Sequence, residues 1–195
     1  MSPRSNEENE RIRNESKAKI MAAALELFAD NGYHKTSISK VAQKAGISKG
    51  LTYNYFDSKE ALLEEVLQFM FKEGMNMNKN IAEQIAQFSP KELLAYTINS
   101  FFELLVADKK QWSWVLSLSI QVTAIPKIKR LLIDGYRTSL KQIEAVMEIN
   151  GYDNPELEAK LLGATFDGIS IQYVLFEEEY NILNVKETLI KKYCG

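Results

Sequence analysis

Apolar side chains recur along most of this chain at intervals of three and four, the spacing of one face of an α-helix. Ile20, Ala24, Leu27 and Phe28 make the first such face. It stops at Asp30-Asn31-Gly32-Tyr33, where Gly32 can take the left-handed conformation that ends a helix. Thr36 or Ser37 can cap a short second helix carrying Ile38, Val41, Ala42 and Ala45, and Gly46 ends it. Ser48 can cap a third short helix reaching about Tyr55. Ser58 can cap a fourth, which runs through Leu62, Leu63, Val66, Leu67, Phe69 and Met70 towards Met77.

The helical pattern continues downstream. Ser89-Pro90 opens a helix with Leu94, Ile98, Phe101, Phe102 and Leu105 on one face, proline being at home in a first turn. Pro126 opens another, with Ile128, Leu132, Tyr136, Leu140, Ile143 and Met147, closed by Asn150-Gly151. Asn154-Pro155 starts the next, and the last begins near Asn184 with Val185, Leu189 and Tyr193. Residues 112–122, WSWVLSLSIQV, alternate like a strand. Trp112, Leu116 and Ile120 also fit a helix, and a lone strand would have no partner, so helix is the expectation. The first twelve residues are polar and are expected to be disordered.

Composition narrows the function. Of the 195 residues, 46% are hydrophobic, enough for a sizeable core, and 26% are charged. The net charge is −2, but residues 1–60 hold ten Lys/Arg against eight Asp/Glu, while the rest hold fourteen against eighteen. The N-terminal end is the one that faces a polyanion. A single cysteine, Cys194, excludes an internal disulfide, and the single histidine, His34, leaves little for a zinc site or a Ser-His-Asp triad. Neither a metal nor another cofactor is expected. The polar start is no signal peptide, and no long apolar run spans a membrane, so a cytoplasmic setting is expected.

Residues 37–56 have the layout of a helix-turn-helix, in which the second helix enters the DNA major groove. The spacing alone is equally compatible with a structural helix pair. Ser48-Lys49-Gly50 supplies a cap, a charge and an absent side chain where the backbone must come near phosphates. Leu51 can meet a thymine methyl, Asn54 can pair with adenine, and Tyr53 and Tyr55 can donate hydrogen bonds and stack. Lys59, in the next helix's first turn, can bind a phosphate beside free backbone amides.

Residues 20–67 closely resemble the DNA-binding domain of tetracycline-repressor (TetR) family regulators. The matching pieces are Ala24-Leu25-Glu26-Leu27-Phe28, Gly32-Tyr33, Thr36-Ser37, Val41-Ala42, Ala45 to Gly50, Tyr53, Tyr55-Phe56 and Ser58-Lys59-Glu60. The resemblance implies an all-α fold of about nine helices. A three-helix helix-turn-helix DNA-binding domain over 13–60 would follow a disordered arm over 1–12, and a helical ligand-binding and dimerisation bundle would occupy 61–195. The candidate DNA contacts are Thr36, Ser37, Ser48, Lys49, Gly50, Leu51, Tyr53, Asn54, Tyr55 and Lys59. Two positions depart from the family. Thr52 stands where it has an apolar residue, so Leu51 is expected towards DNA and Thr52 towards the core. Lys40 replaces an acid that would complete a capping box.

A dimer would place two recognition helices about 34–36 Å apart to read a palindromic operator. The apolar run over 161–176 suits the seam, with Gly163, Gly168, Ile171, Leu175 and Leu189 as candidates; Asp167 is its one charge. The resemblance further implies a small-molecule effector, aromatic or lipophilic, whose binding releases a repressor from DNA. Phe101, Phe102, Trp112, Trp114, Tyr136, Phe166 and Tyr173 are the candidate lining. The competing readings are a DNA-binding regulator without a ligand, controlled by a protein partner or acting as an activator, and an enzyme on a helical bundle. The enzyme lacks paired carboxylates or a Glu-x-x-His motif in a suitable place.

Overall fold

The computed structural model describes residues 6–70 and 88–195, and all regular structure among them is helical. In chain order these are α1 (Asn6–Asn31), α2 (Ile38–Ala45), α3 (Lys49–Tyr55), α4 (59–70 as far as described), α5 (Pro90–Ala107), α6 (Lys109–Gln121), α7 (Pro126–Ile149), α8 (Pro155–Phe176) and α9 (Ile182–Cys194). A 3₁₀ turn, Glu177–Glu179, joins the last two. The expected extension of α4 towards Met77 lies outside the described residues.

Local chemistry sets the helix ends. Gly32 (φ 84°), Gly46 (φ 67°) and Gly151 (φ 76°) each adopt the left-handed conformation just past a helix. After α2 the Ile47 N–H reaches the Ala42 carbonyl and the Gly46 N–H reaches Gln43, the double closure of a Schellman motif. Ser37, Ser48, Ser89, Asn154 and Asn181 accept from the exposed amides at the starts of α2, α3, α5, α8 and α9, and Glu92 completes a capping box with Ser89. The alternating segment 112–122 is helical through Gln121, as the helix reading required.

Three expectations need correction. Residues 6–12 are the first turns of α1, not a disordered arm. Here Arg11 is held by Glu8 at 2.8 Å and by Glu15, pairs one helical turn apart that favour the helix. The last helix starts two residues earlier than the sequence suggested, because Asn181 caps it. The chain also does not divide at 60/61. One compact unit comprises Met1–Met70 with Trp114–Leu131, the other Phe71–Ser113 with Leu132–Gly195.

The first unit buries Ile20, Ala24, Phe28, Val41, Ala42, Phe56, Leu62, Leu63, Leu118, Val122 and Ile128. The second has a core of Leu93, Leu94, Ile98, Phe102, Leu105, Met147, Leu162, Phe166 and Ile169, with α9 closing over α5. Removing this apolar surface from water, at roughly 25 cal/mol per Å², is the main force holding each unit together.

Candidate nucleic-acid interface

Helix α3 is two-faced over barely two turns. Thr52 is fully buried, its hydroxyl donating to the Ser48 carbonyl at 3.1 Å, and Phe56 closes the inner side. Ser48, Lys49, Gly50, Leu51, Tyr53 and Asn54 are exposed, and Tyr55 is half-buried. Leu51 is thus exposed, and Thr52 faces the core as expected. A methyl group at Gly50 would meet nothing within 4 Å, leaving the first turn thin. The Ser48 hydroxyl accepts from the Leu51 amide at 3.1 Å, and Ser37 does the same for Lys40 at 3.3 Å.

Two candidate contacts are corrected. Thr36 is buried, with its hydroxyl 3.0 Å from the carbonyls of both Leu27 and Gly32, so it ties down the end of α1 and has nothing to offer a ligand. Lys59 is also turned inward. Its ammonium reaches the carbonyls of Tyr33 (2.9 Å), Thr36 (3.0 Å) and His34 (3.3 Å), which occupy its three N–H donors. It also stands 4.4 Å from the centre of the Tyr33 ring. Tyr33 is buried edge-on against Phe28, and that burial, aided by Glu60, raises its phenol pKa. It is a packing tyrosine.

The other candidates sort by unit. Phe102 and Phe166 lie in the core of the second unit, with Phe101, Trp112 and Tyr173 packed around it. The Phe101 and Phe166 rings stack at 4.0 Å, and the Trp112 indole donates to the Leu104 carbonyl at 3.0 Å. The lining set divides between the two units. Trp114 belongs to the first unit, where its indole donates to Asp30 at 2.9 Å, and Tyr136 is exposed on α7. Of the seam candidates, Gly168, Ile171 and Leu175 lie on the outer side of α8. Gly163 is buried towards Leu140, and Leu189 belongs to the core although it also lines an open groove between α8 and α9. Among the described residues, no three His, Cys, Asp or Glu are grouped to hold a metal.

The family model described as "Bacterial regulatory proteins, tetR family" matches residues 20–66, the stretch that carries this two-faced helix and its supports. Residues 20–66 are a TetR-family DNA-binding head. The TetR-family likeness continues beyond the head. The chain is 28% identical over 183 residues to the "Fatty acid metabolism regulator protein" of Bacillus subtilis, covering 88% of this chain and 90% of that one. It is 42% identical over 90 residues to the "Uncharacterized HTH-type transcriptional regulator YerO" of the same organism. That match covers 46% of this chain, and the chain spans only 31% of YerO's length. The fold matches that of the transcriptional regulator FadR from Bacillus subtilis, solved in complex with stearoyl-CoA. The TM-score is 0.70 at 23% identity, over 91% of this chain and 97% of that one.

Several supports of this TetR-family head have partners that a reading of the sequence does not reveal. Arg13 stands 5.7 Å from the centre of the Tyr55 ring, and Lys17 pairs with Glu65 at 2.7 Å, so the early turns of α1 brace α3 and α4. From α6, the Ser117 hydroxyl and the Gln121 amide nitrogen donate to the Ala29 carbonyl at 3.4 and 3.3 Å, and the Gln121 oxygen accepts from the Tyr33 amide. No motif marks these residues. Their partners are far away in sequence.

Proposed function

We propose that the chain is a homodimeric repressor in the cytoplasm that reads a palindromic operator through α3 and is released by a lipophilic small molecule. The observation that carries this reading is the one-sidedness of α3. It buries Thr52 and presents Lys49, Gly50, Leu51, Tyr53 and Asn54 together on a capped, thin-ended helix. Tyr53 and Asn54 would reach base edges, Leu51 a thymine methyl, and Lys49 a phosphate. Ser37, Ser48 and Tyr55 would contact the backbone beside them.

Two further observations support the rest. Leu157, Leu161, Ala164, Gly168, Ile171 and Leu175 follow one another at steps of four and three along α8, the repeat of a coiled-coil seam, and the five apart from Gly168 are exposed. A second copy related by a two-fold axis would bury this stripe. For the effector, the support is the relative named for fatty acid metabolism and the fold neighbour carrying stearoyl-CoA. A long-chain acyl thioester is therefore the first compound to try. It would bind in the second unit, whose core is aliphatic and aromatic, and would shift the population away from the DNA-binding form.

Selection of bound duplexes from a random pool tests the core of this reading. The expected product is a palindrome with half-site centres about 10 bp or a small multiple apart, and Tyr53→Ala should bind it at least tenfold more weakly while remaining folded. Recovery of no preferred sequence, or full affinity in the variant, would remove the assignment of α3. Acyl-CoA added to the complex should release the DNA and raise the melting temperature of the free protein. No response to acyl or aromatic compounds would favour a regulator governed by a protein partner.

A further inference from the structure

We infer that Lys59 and Gln121 are positioning residues that set operator affinity by gripping one residue, Tyr33, from two sides, and that Lys59 is not a phosphate ligand. The inference rests on the proposed reading of α3. Tyr33 follows the left-handed Gly32 at the end of α1 and precedes the Ser37 cap of α2. Its N–H is taken by the Gln121 side-chain oxygen at 3.3 Å, and its carbonyl by the Lys59 ammonium at 2.9 Å.

Each grip continues to further groups. Gln121 also donates to Ala29, one of the last carbonyls of α1, which have no partner inside their own helix. Lys59 also gathers the carbonyls of His34 and Thr36, so three of the four residues from Tyr33 to Thr36 turn their carbonyls to one ammonium. A cation in the first turn of α4 opposes the helix dipole. The three carbonyls and the Tyr33 ring face offset that cost, which explains how a lysine is stable there. Together the two side chains fix the loop over 32–37 between α1, α4 and residues 114–131. That loop aims α2, and α2 carries α3 through the turn at Gly46. Loosening it would spread the orientations of the reading helix and lower affinity without removing any DNA contact.

The salt dependence of operator binding separates the two roles of Lys59. A phosphate ligand contributes about 0.9 to the slope of log K against log salt. Operator titrations of Lys59→Met and Gln121→Leu should be run well below their melting temperatures, at several salt concentrations, beside the parent. The expected result is an affinity at least fivefold weaker for each, with the parent's slope. The double variant should be weaker by less than the product of the two losses, because both act through one residue. A slope lower by about 0.9 in Lys59→Met would make Lys59 a phosphate ligand and overturn the inference. Parental affinity in folded variants that merely melt earlier would overturn it as well. Gln121→Leu changes no charge and decides the matter by affinity if Lys59→Met does not fold. A parent that prefers no duplex sequence would remove the reading of α3 itself, whereas a binding parent with unaffected variants removes this inference alone.

Discussion

A methyl group on Gly163 would stand 2.8 Å from Cδ2 of Leu140, whereas one on Gly168 would meet nothing within 4 Å. The two glycines lie five residues apart on α8 and serve different ends. Gly163 lets α7 and α8 approach within the chain. Gly168 leaves space open on the outside. Gly163→Val should therefore lower stability by about 1–3 kcal/mol through overpacking, seen as a lower melting temperature. Gly168→Leu should leave the subunit fold intact, since leucine is the better helix former, yet weaken self-association in sedimentation. A dimer unchanged by Gly168→Leu would move the seam away from this stripe.

Ser48 and Thr52 offer a second contrast. The Ser48 hydroxyl caps α3, and its loss in Ser48→Ala should cost about 1 kcal/mol. Thr52→Val should change stability by less than about 0.5 kcal/mol, because the Ser48 carbonyl keeps the Thr52 amide at 3.0 Å and no buried group is orphaned. Chemical denaturation of the two variants checks the difference. A large loss in Thr52→Val would mean that the hydroxyl holds the first turn of α3 in place.

Lys49 is exposed at the start of α3 with no part in the interior. Lys49→Ala should reduce operator affinity and lower the salt slope by about 0.9, the behaviour that Lys59→Met should not show. Fluorescence titrations over a range of salt concentrations measure both.

Asp167 responds to pH. Partial desolvation holds its carboxyl above the ordinary aspartate range. The folded chain then binds this proton more tightly than the unfolded chain does. Stability is lost as pH rises from the unfolded value of about 3.9 through the raised folded value, and the penalty persists above it. Asp167→Asn should raise the melting temperature at pH 7, and the gain should vanish below about pH 4. A variant that melts below the parent at pH 7 would mean that the carboxylate is held by a favourable partner.

The sequence by itself determined the helices, most of their ends and the two-faced α3. Ser37, Ser48 and Ser89 act on amides three residues away, and Gly32, Gly46 and Gly151 act on their own backbone. Such effects are complete within one turn, so a short window of sequence contains them. Only the tertiary structure decided which groups Lys59, Thr36, Trp114 and Gln121 meet. Lys59 meets Tyr33 across 26 residues, and Gln121 meets Ala29 across 92. A lysine in the first turn of a helix suits a phosphate as well as a carbonyl cage, and a glycine in an apolar helix suits either of its sides. The choice depends on which groups the fold brings within hydrogen-bond or van der Waals reach, and the packing of distant helices fixes that.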